Sequence, residues 1–163
     1  TSIGTVIEPA TLQPYGRHRL ELEQFVSRRF AHALIVRLPG LFGRGLKKNV
    51  IYDLLNYNCL EQVHQDGVFQ FYDLDHLWRD IETAERAQLR CVNFATEPVS
   101  VAEVSTAAFG QRFENKLPAP APRYDVHTKH ARAFGQRGVY LADKRTVLGE
   151  IRGFVERART GSK

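Results

Sequence analysis

The sequence predicts an α/β protein built on a parallel sheet, and three observations carry that prediction. Ala33-Leu34-Ile35-Val36-Arg37-Leu38 is an apolar run of strand length, as expected for a parallel strand covered on both faces. Pro39-Gly40-Leu41-Phe42-Gly43-Arg44-Gly45 follows it at the carboxyl end, where open α/β sheets take their ligands and where glycine lets backbone come close. Strand-like and helix-like segments alternate along the chain, which argues against an all-α bundle.

Thr1 to Leu12 reads as a strand end running into a loop at Glu8-Pro9. A helix is predicted from about Tyr15 to Phe30, because Pro14 presets φ for a first turn and few of the residues after it are glycine or β-branched. Leu22, Val26 and Phe30 recur at four-residue steps, a stripe that can lie on a sheet. Pro39 to Gly45 cannot continue the strand before it. Asn49 to Tyr57 is predicted as a helix with Val50, Leu54 and Tyr57 on one face, and Val68 to Tyr72 as a strand. Asp75 is the expected cap of a helix carrying Leu77, Trp78, Ile81 and Ala84. Leu89 to Phe94 is a further strand, and Ser100-Val101-Ala102-Glu103 is a capping box. Leu117-Pro118-Ala119-Pro120-Ala121-Pro122 is a stiff linker, dividing residues 1–116 from 117–163, which read as a linker and small helical lobe or, equally, as the completion of the main core. In that lobe His127 to Phe134 is a short helical stretch. A last helix from about Asp143 to Arg157 places Val147, Leu148, Ile151, Phe154 and Val155 on its buried side.

Composition narrows the function. The chain has 163 residues, 43% hydrophobic and 25% charged, enough for one well-buried domain and against disorder. Its net charge of +5 suits anionic small ligands, yet the basic residues are scattered, with short doublets at Arg28-Arg29 and Lys47-Lys48, so nucleic acid is not an expected partner. Cys59 and Cys91 lack metal-ligand spacing and are expected as reduced thiols of a cytoplasmic protein. No apolar run reaches membrane-spanning length, and no membrane partner is expected. Methionine is absent even from position 1, so the residues read as part of a longer protein.

Tyr15 and Arg19 stand four residues apart, so on a helix the phenol and the guanidinium share a face. A fixed positive charge there favours the phenolate, and a phenol so placed can pass a proton to a reacting oxygen. The rival constellations are weaker. His127-x-x-His130 offers two imidazoles but no further ligand nearby, so no metal is expected. Asp73 and Asp75 flank Leu74 and could pair, but a helix cap is the simpler use of Asp75. Tyr72, Trp78 and the phenylalanines read as core.

The stretch Pro14-Tyr15-Gly16-Arg17-His18-Arg19-Leu20-Glu21-Leu22-Glu23, followed by Ala33 to Gly43, resembles the extended short-chain dehydrogenase/reductases, and among them the NAD(P)-dependent sugar-nucleotide epimerases, dehydratases and reductases. Phe71-Tyr72-Asp73-Leu74-Asp75, Val92 to Ser100 and Arg123 to Lys129 extend the likeness in the same order. It implies the carboxyl-terminal half of a Rossmann-like parallel sheet with helices on both faces, plus a small α-rich substrate-side lobe. It also implies that Tyr15 is the catalytic acid/base, with Arg19 where a lysine normally holds the nicotinamide ribose, and Ser2, or alternatively Thr1 or Thr5, as the hydroxyl partner. Pro39 would join Tyr15 and Arg19 beside the cofactor, NAD or NADP. Asn49 and Arg123 would approach the nucleotide part of a nucleotide-sugar substrate, and the Tyr15 helix would pair with its copy in a homodimer. Arg19 departs from the family pattern, and Gly40 stands where many members carry a side chain that touches the sugar. The Gly-x-x-Gly-x-x-Gly dinucleotide turn is missing, so an amino-terminal half outside this sequence would hold most of the cofactor. The alternative is a degenerate member serving as a binding or scaffolding module.

Overall fold

The computed structural model describes residues 13–161. Helix α1, Pro14–Arg29, starts with proline in its first turn and ends on Arg28 and Arg29, whose charges oppose the negative end of the helix dipole. None of its residues is fully buried. Of the predicted Leu22/Val26/Phe30 stripe, Val26 is half-buried, while Leu22 is 58% exposed and Phe30 54%. Gly16, Leu20, Glu23 and Val26 form its half-buried side, and Glu23 there is bonded by Arg37 of the first strand, which fixes the roll of the helix.

Strand β1, Ile35–Arg37, then gives way to β2, Gly40–Phe42. The sequence predicted a loop here, yet the strand resumes after Pro39, because Gly40 N–H donates to the Gln70 carbonyl and pulls the chain onto a new partner. A Cβ on Gly40 would lie 2.9 Å from that carbonyl oxygen, so the close approach requires glycine. Helix α2, Val50–Asn56, is capped by Asn49, whose Oδ1 accepts from the Ile51 and Tyr52 amides.

The predicted strand at 68–72 is two, β3 (Val68–Phe69) and β4 (Phe71–Asp73). They part at Gln70, whose buried amide bonds the Thr96 and Val126 carbonyls and the Val126 N–H. Asp73, not Asp75, does the capping that follows: its Oδ1 accepts from the Asp75 amide at 2.9 Å and opens a 3-10 turn over Leu74–His76. Asp73 closes the strand in extended conformation, so it is the residue with its carboxylate over the free amides. Helix α3, Leu77–Arg86, buries Asp80 and Ala84 but turns Trp78 outward at 71% exposure, which corrects its assignment to the core. Strand β5, Cys91–Asn93, and strand β6, Val99–Ser100, follow, and the Ser100/Glu103 capping box opens α4, Val101–Phe109, as predicted. The helical stretch at 127–134 contracts to a 3-10 turn at Ala131–Phe134. Helix α5, Lys144–Thr160, is capped by Asp143 through the Thr146 amide.

Parallel pairing joins β1 to β5 and β2 to β4, and β3 pairs antiparallel with β6. Two apolar clusters cover these strands. One gathers Phe42, Ile51, Val99, Val104, Val147, Ile151 and Val155, so α5 closes over α2, α4 and β2. The other gathers Tyr72, Ala84, Val92 and Phe94 against α3. Each fully buried side chain of this size contributes roughly 1.5–3 kcal/mol relative to exposure. This is the mixed α/β arrangement with parallel strand pairs that the sequence predicts. No helix among the described residues is long and apolar enough to cross a membrane.

Candidate functional site

Proline lacks an N–H, so β1 ends before Leu38-Pro39 at the carboxyl end of the β1/β5 pair. Leu38 and Pro39 there border three cavities. The first, about 720 Å³, has Gly40, Asn49, Asp53, His64, Phe69 and Tyr124 in its wall. The second, about 290 Å³, lies between α1 and the ends of β1 and β5, with Arg19, Glu23, Arg37 and Asn93 around it. The third, about 830 Å³, runs from Tyr15 and Arg19 along the glycine-rich segment to Asn49, past Arg44, Lys47 and Lys48.

Tyr15 and Arg19 meet as their spacing predicts. Arg19 donates to the Tyr15 oxygen from Nη2 at 2.7 Å and from Nε at 3.1 Å. The ring is 71% exposed at the rim of the third cavity, so the oxygen faces open space rather than packed hydrocarbon. Two turns along α1, Glu23 receives a forked bond from Arg37 on β1, at 2.6 Å from Nη2 and 3.0 Å from Nε. That bond to Glu23 holds the Arg37 guanidinium above its ordinary value, against the opposing effect of burial. The pair fixes the helix, and with it Tyr15 and Arg19, over the strand ends.

The other sequence-predicted residues are dispersed. Pro39 lies beside Arg19 in the walls of the second and third cavities. Asn49 borders the first and third, but its side chain is spent on capping α2 and on donating to the Leu41 carbonyl at 2.9 Å. Arg123 bridges to Val68 through its backbone, and its neighbours Pro122 and Tyr124, not Arg123, form wall of the first cavity. Alternation along an extended chain turns the Arg123 side chain away from its neighbours' face. Ser2, with Thr1 and Thr5, lies outside the described residues.

The sequence did not single out Asn93, although a polar residue closing an apolar strand was the available signal. Asn93 is 3% exposed, donates to the His127 carbonyl at 2.9 Å, and has no hydrogen-bond partner for Oδ1 among the described residues. His127 and His130 are engaged locally: His127 Nε2 stands 3.1 Å from Asp125, and the His130 amide donates to Thr128. Burial, then Lys129, lowers the His130 imidazole. Burial and a 2.6 Å bond to Asp125 push the Tyr140 phenol up to about 12, so it serves as a donor rather than a proton shuttle.

No protein-family model and no curated protein sequence matches the chain. Solved structures do. The chain is similar to dTDP-glucose 4,6-dehydratase of Bacillus anthracis in complex with NAD, at 13% identity and a TM-score of 0.64, over 99% of this chain and 58% of that one. It is similar to a UDP-galactose 4-epimerase at 14% identity and a TM-score of 0.57, over 91% and 52%. It is also similar to UDP-N-acetylglucosamine 4-epimerase of Methanobrevibacter ruminantium in complex with UDP-N-acetylmuramic acid, at 10% identity and a TM-score of 0.59, over 87% and 51%. At such identities the likeness is one of fold: the chain has part of the Rossmann-like fold of these dehydratases and epimerases, and it spans 51–58% of their length.

Proposed function

We propose that this chain is the carboxyl-terminal part of an NAD(P)-dependent nucleotide-sugar epimerase, dehydratase or reductase, with Tyr15 as its proton-transferring group. The observation that carries the reading is the Tyr15 oxygen, held by two bonds from Arg19 and exposed at a cavity beside the carboxyl end of a parallel strand. Both bonds are donated to the oxygen, which leaves its own proton free to move to or from a sugar hydroxyl. Arg19 carries a charge that never leaves, so it balances the oxygen when the proton has gone. Glu23 and Arg37 keep the pair in register with the strand end.

Arg19, beside Tyr15, would face the nicotinamide ribose and Pro39 the nicotinamide amide, while no Gly-x-x-Gly-x-x-Gly turn occurs in the sequence to cradle the pyrophosphate. When bound, NAD(P) accepts or returns the hydride. Isolated, the chain is expected to bind NAD only weakly in calorimetry. The nucleotide-sugar would lie across the first and third cavities, its phosphates toward Arg44, Lys47 and Lys48.

The test is turnover of a longer form that includes the dinucleotide half. Tyr15→Phe should lose at least about 10²-fold in kcat, with an unchanged circular dichroism spectrum because the ring is exposed. Retained turnover would sink the assignment.

A second reading, a catalytically degenerate binding module, is favoured by Arg19 in the lysine position and by Gly40, where the Gln70 carbonyl leaves no space for a sugar-contacting side chain. Arg19→Lys separates the two. Activity appearing from none marks a degenerate site; loss of existing activity marks an arginine adapted to the work.

A further inference from the structure

We propose a divalent metal site formed by Asp73, His76 and Glu150, at the opposite end of β4 from the Gly40 contact and independent of the Tyr15 reading. The sequence does not announce it, since Glu150 comes from α5, far along the chain. The ligand atoms of the three, one oxygen from each carboxylate and one imidazole nitrogen, lie within 4.8 Å of one another. Atoms sharing one ion at bonds of ~2.1 Å stand about 3–4 Å apart, so small side-chain rotations close the set.

The position of each residue is dictated by the fold. Strand β4 ends on Asp73, the 3-10 turn that Asp73 caps brings His76 back beside it, and α5 lays Glu150 across both. His76 Nε2 is 2.8 Å from the Glu150 carboxylate, a hydrogen bond whose proton a cation would displace. Asp73 is 5% exposed and spends one oxygen on the Asp75 amide. Its other oxygen accepts no hydrogen bond from the described residues. Of the guanidiniums nearby, Arg79 bonds Asp80 at 2.9 Å while its charge also acts on Glu150, and Arg157 stands 3.7 Å from Asp75.

Two carboxylates and a neutral imidazole carry two negative charges, matched by one divalent ion. An N/O donor set with positions left for water suits Zn²⁺ and, as a spectroscopic stand-in, Co²⁺. Coordination would tie β4 to α5 and so bring the two apolar clusters under one clasp, a structural rather than catalytic use.

The experiment uses the full 163-residue chain, untagged and stripped with chelator, titrated with ZnCl₂ in a calorimeter and with CoCl₂ in a spectrophotometer. The expected result is one saturable equivalent of Zn²⁺, visible absorption bands from Co²⁺, and a rise in Tm with Zn²⁺. His76→Gln and Glu150→Gln should each weaken uptake about tenfold or more. Asp73→Asn keeps an oxygen for the turn while removing the charge, and should weaken uptake with the fold intact. No stoichiometric uptake, or uptake unchanged in the His76 and Glu150 variants, would overturn the site. Metal content is read directly, so either outcome leaves the Tyr15 assignment to its own test.

Discussion

At the scale of single residues, the structure turns several side chains into measurable quantities. Gly40→Ala would push a methyl group to 2.9 Å from the Gln70 oxygen and 3.1 Å from the Phe71 ring. A backbone carbonyl cannot rotate away as a side chain can, so the substitution should cost about 1–3 kcal/mol in urea unfolding. Tyr72 donates to Asp80 at 2.7 Å from a buried position, and burial, then that bond, raises its phenol above the ordinary range. Tyr72→Phe should therefore destabilise by roughly 1–3 kcal/mol, because it strips a partner from a buried carboxylate. Glu103 is pushed up by burial, but the bonds from Lys144 and Ser100 outweigh this and leave its carboxyl below 4.5. A carboxyl lowered on folding stabilises the native state above its unfolded value and loses that contribution as pH falls through the folded one. Stability should thus decline on acidification below about pH 4.5, and Glu103→Gln should flatten the decline in a Tm series against pH.

At the scale of elements, what the sequence revealed and what it concealed divide along a physical line. The α1, α2 and α5 helices, the Ser100 cap and the cores of β1 and β5 were legible, because each depends on residues adjacent in the chain. The split at Gln70, the strand resuming at Gly40 and the exposed Trp78 were hidden, because each is decided by a partner far away: Val126, β4 and the packing of α3. The same line runs through the site. The Tyr15–Arg19 contact follows from helical spacing, while Asn93 and the Glu23–Arg37 fork needed the fold. That fork is the main polar tie of a helix with no buried residue. Glu23→Ala should accordingly speed amide exchange in α1 by roughly fivefold, for a pair worth about 1 kcal/mol, while leaving α5 unchanged.

At the scale of the molecule, one chain that covers just over half of its structural neighbours forms two apolar clusters, with Tyr15 and Arg19 at one edge beside the three cavities that Pro39 borders. That edge includes Leu22 and Phe25, at 58% and 60% exposure on α1. If α1 pairs with its copy, as the family resemblance implies, sedimentation should show a dimer that Phe25→Glu dissociates. A species monomeric at all concentrations would remove the dimer from the proposal. Pro39 gives this arrangement its most general consequence. One pyrrolidine ring is the party wall of all three hollows, so whatever displaces it to seat a guest on one side reshapes the room left for the others.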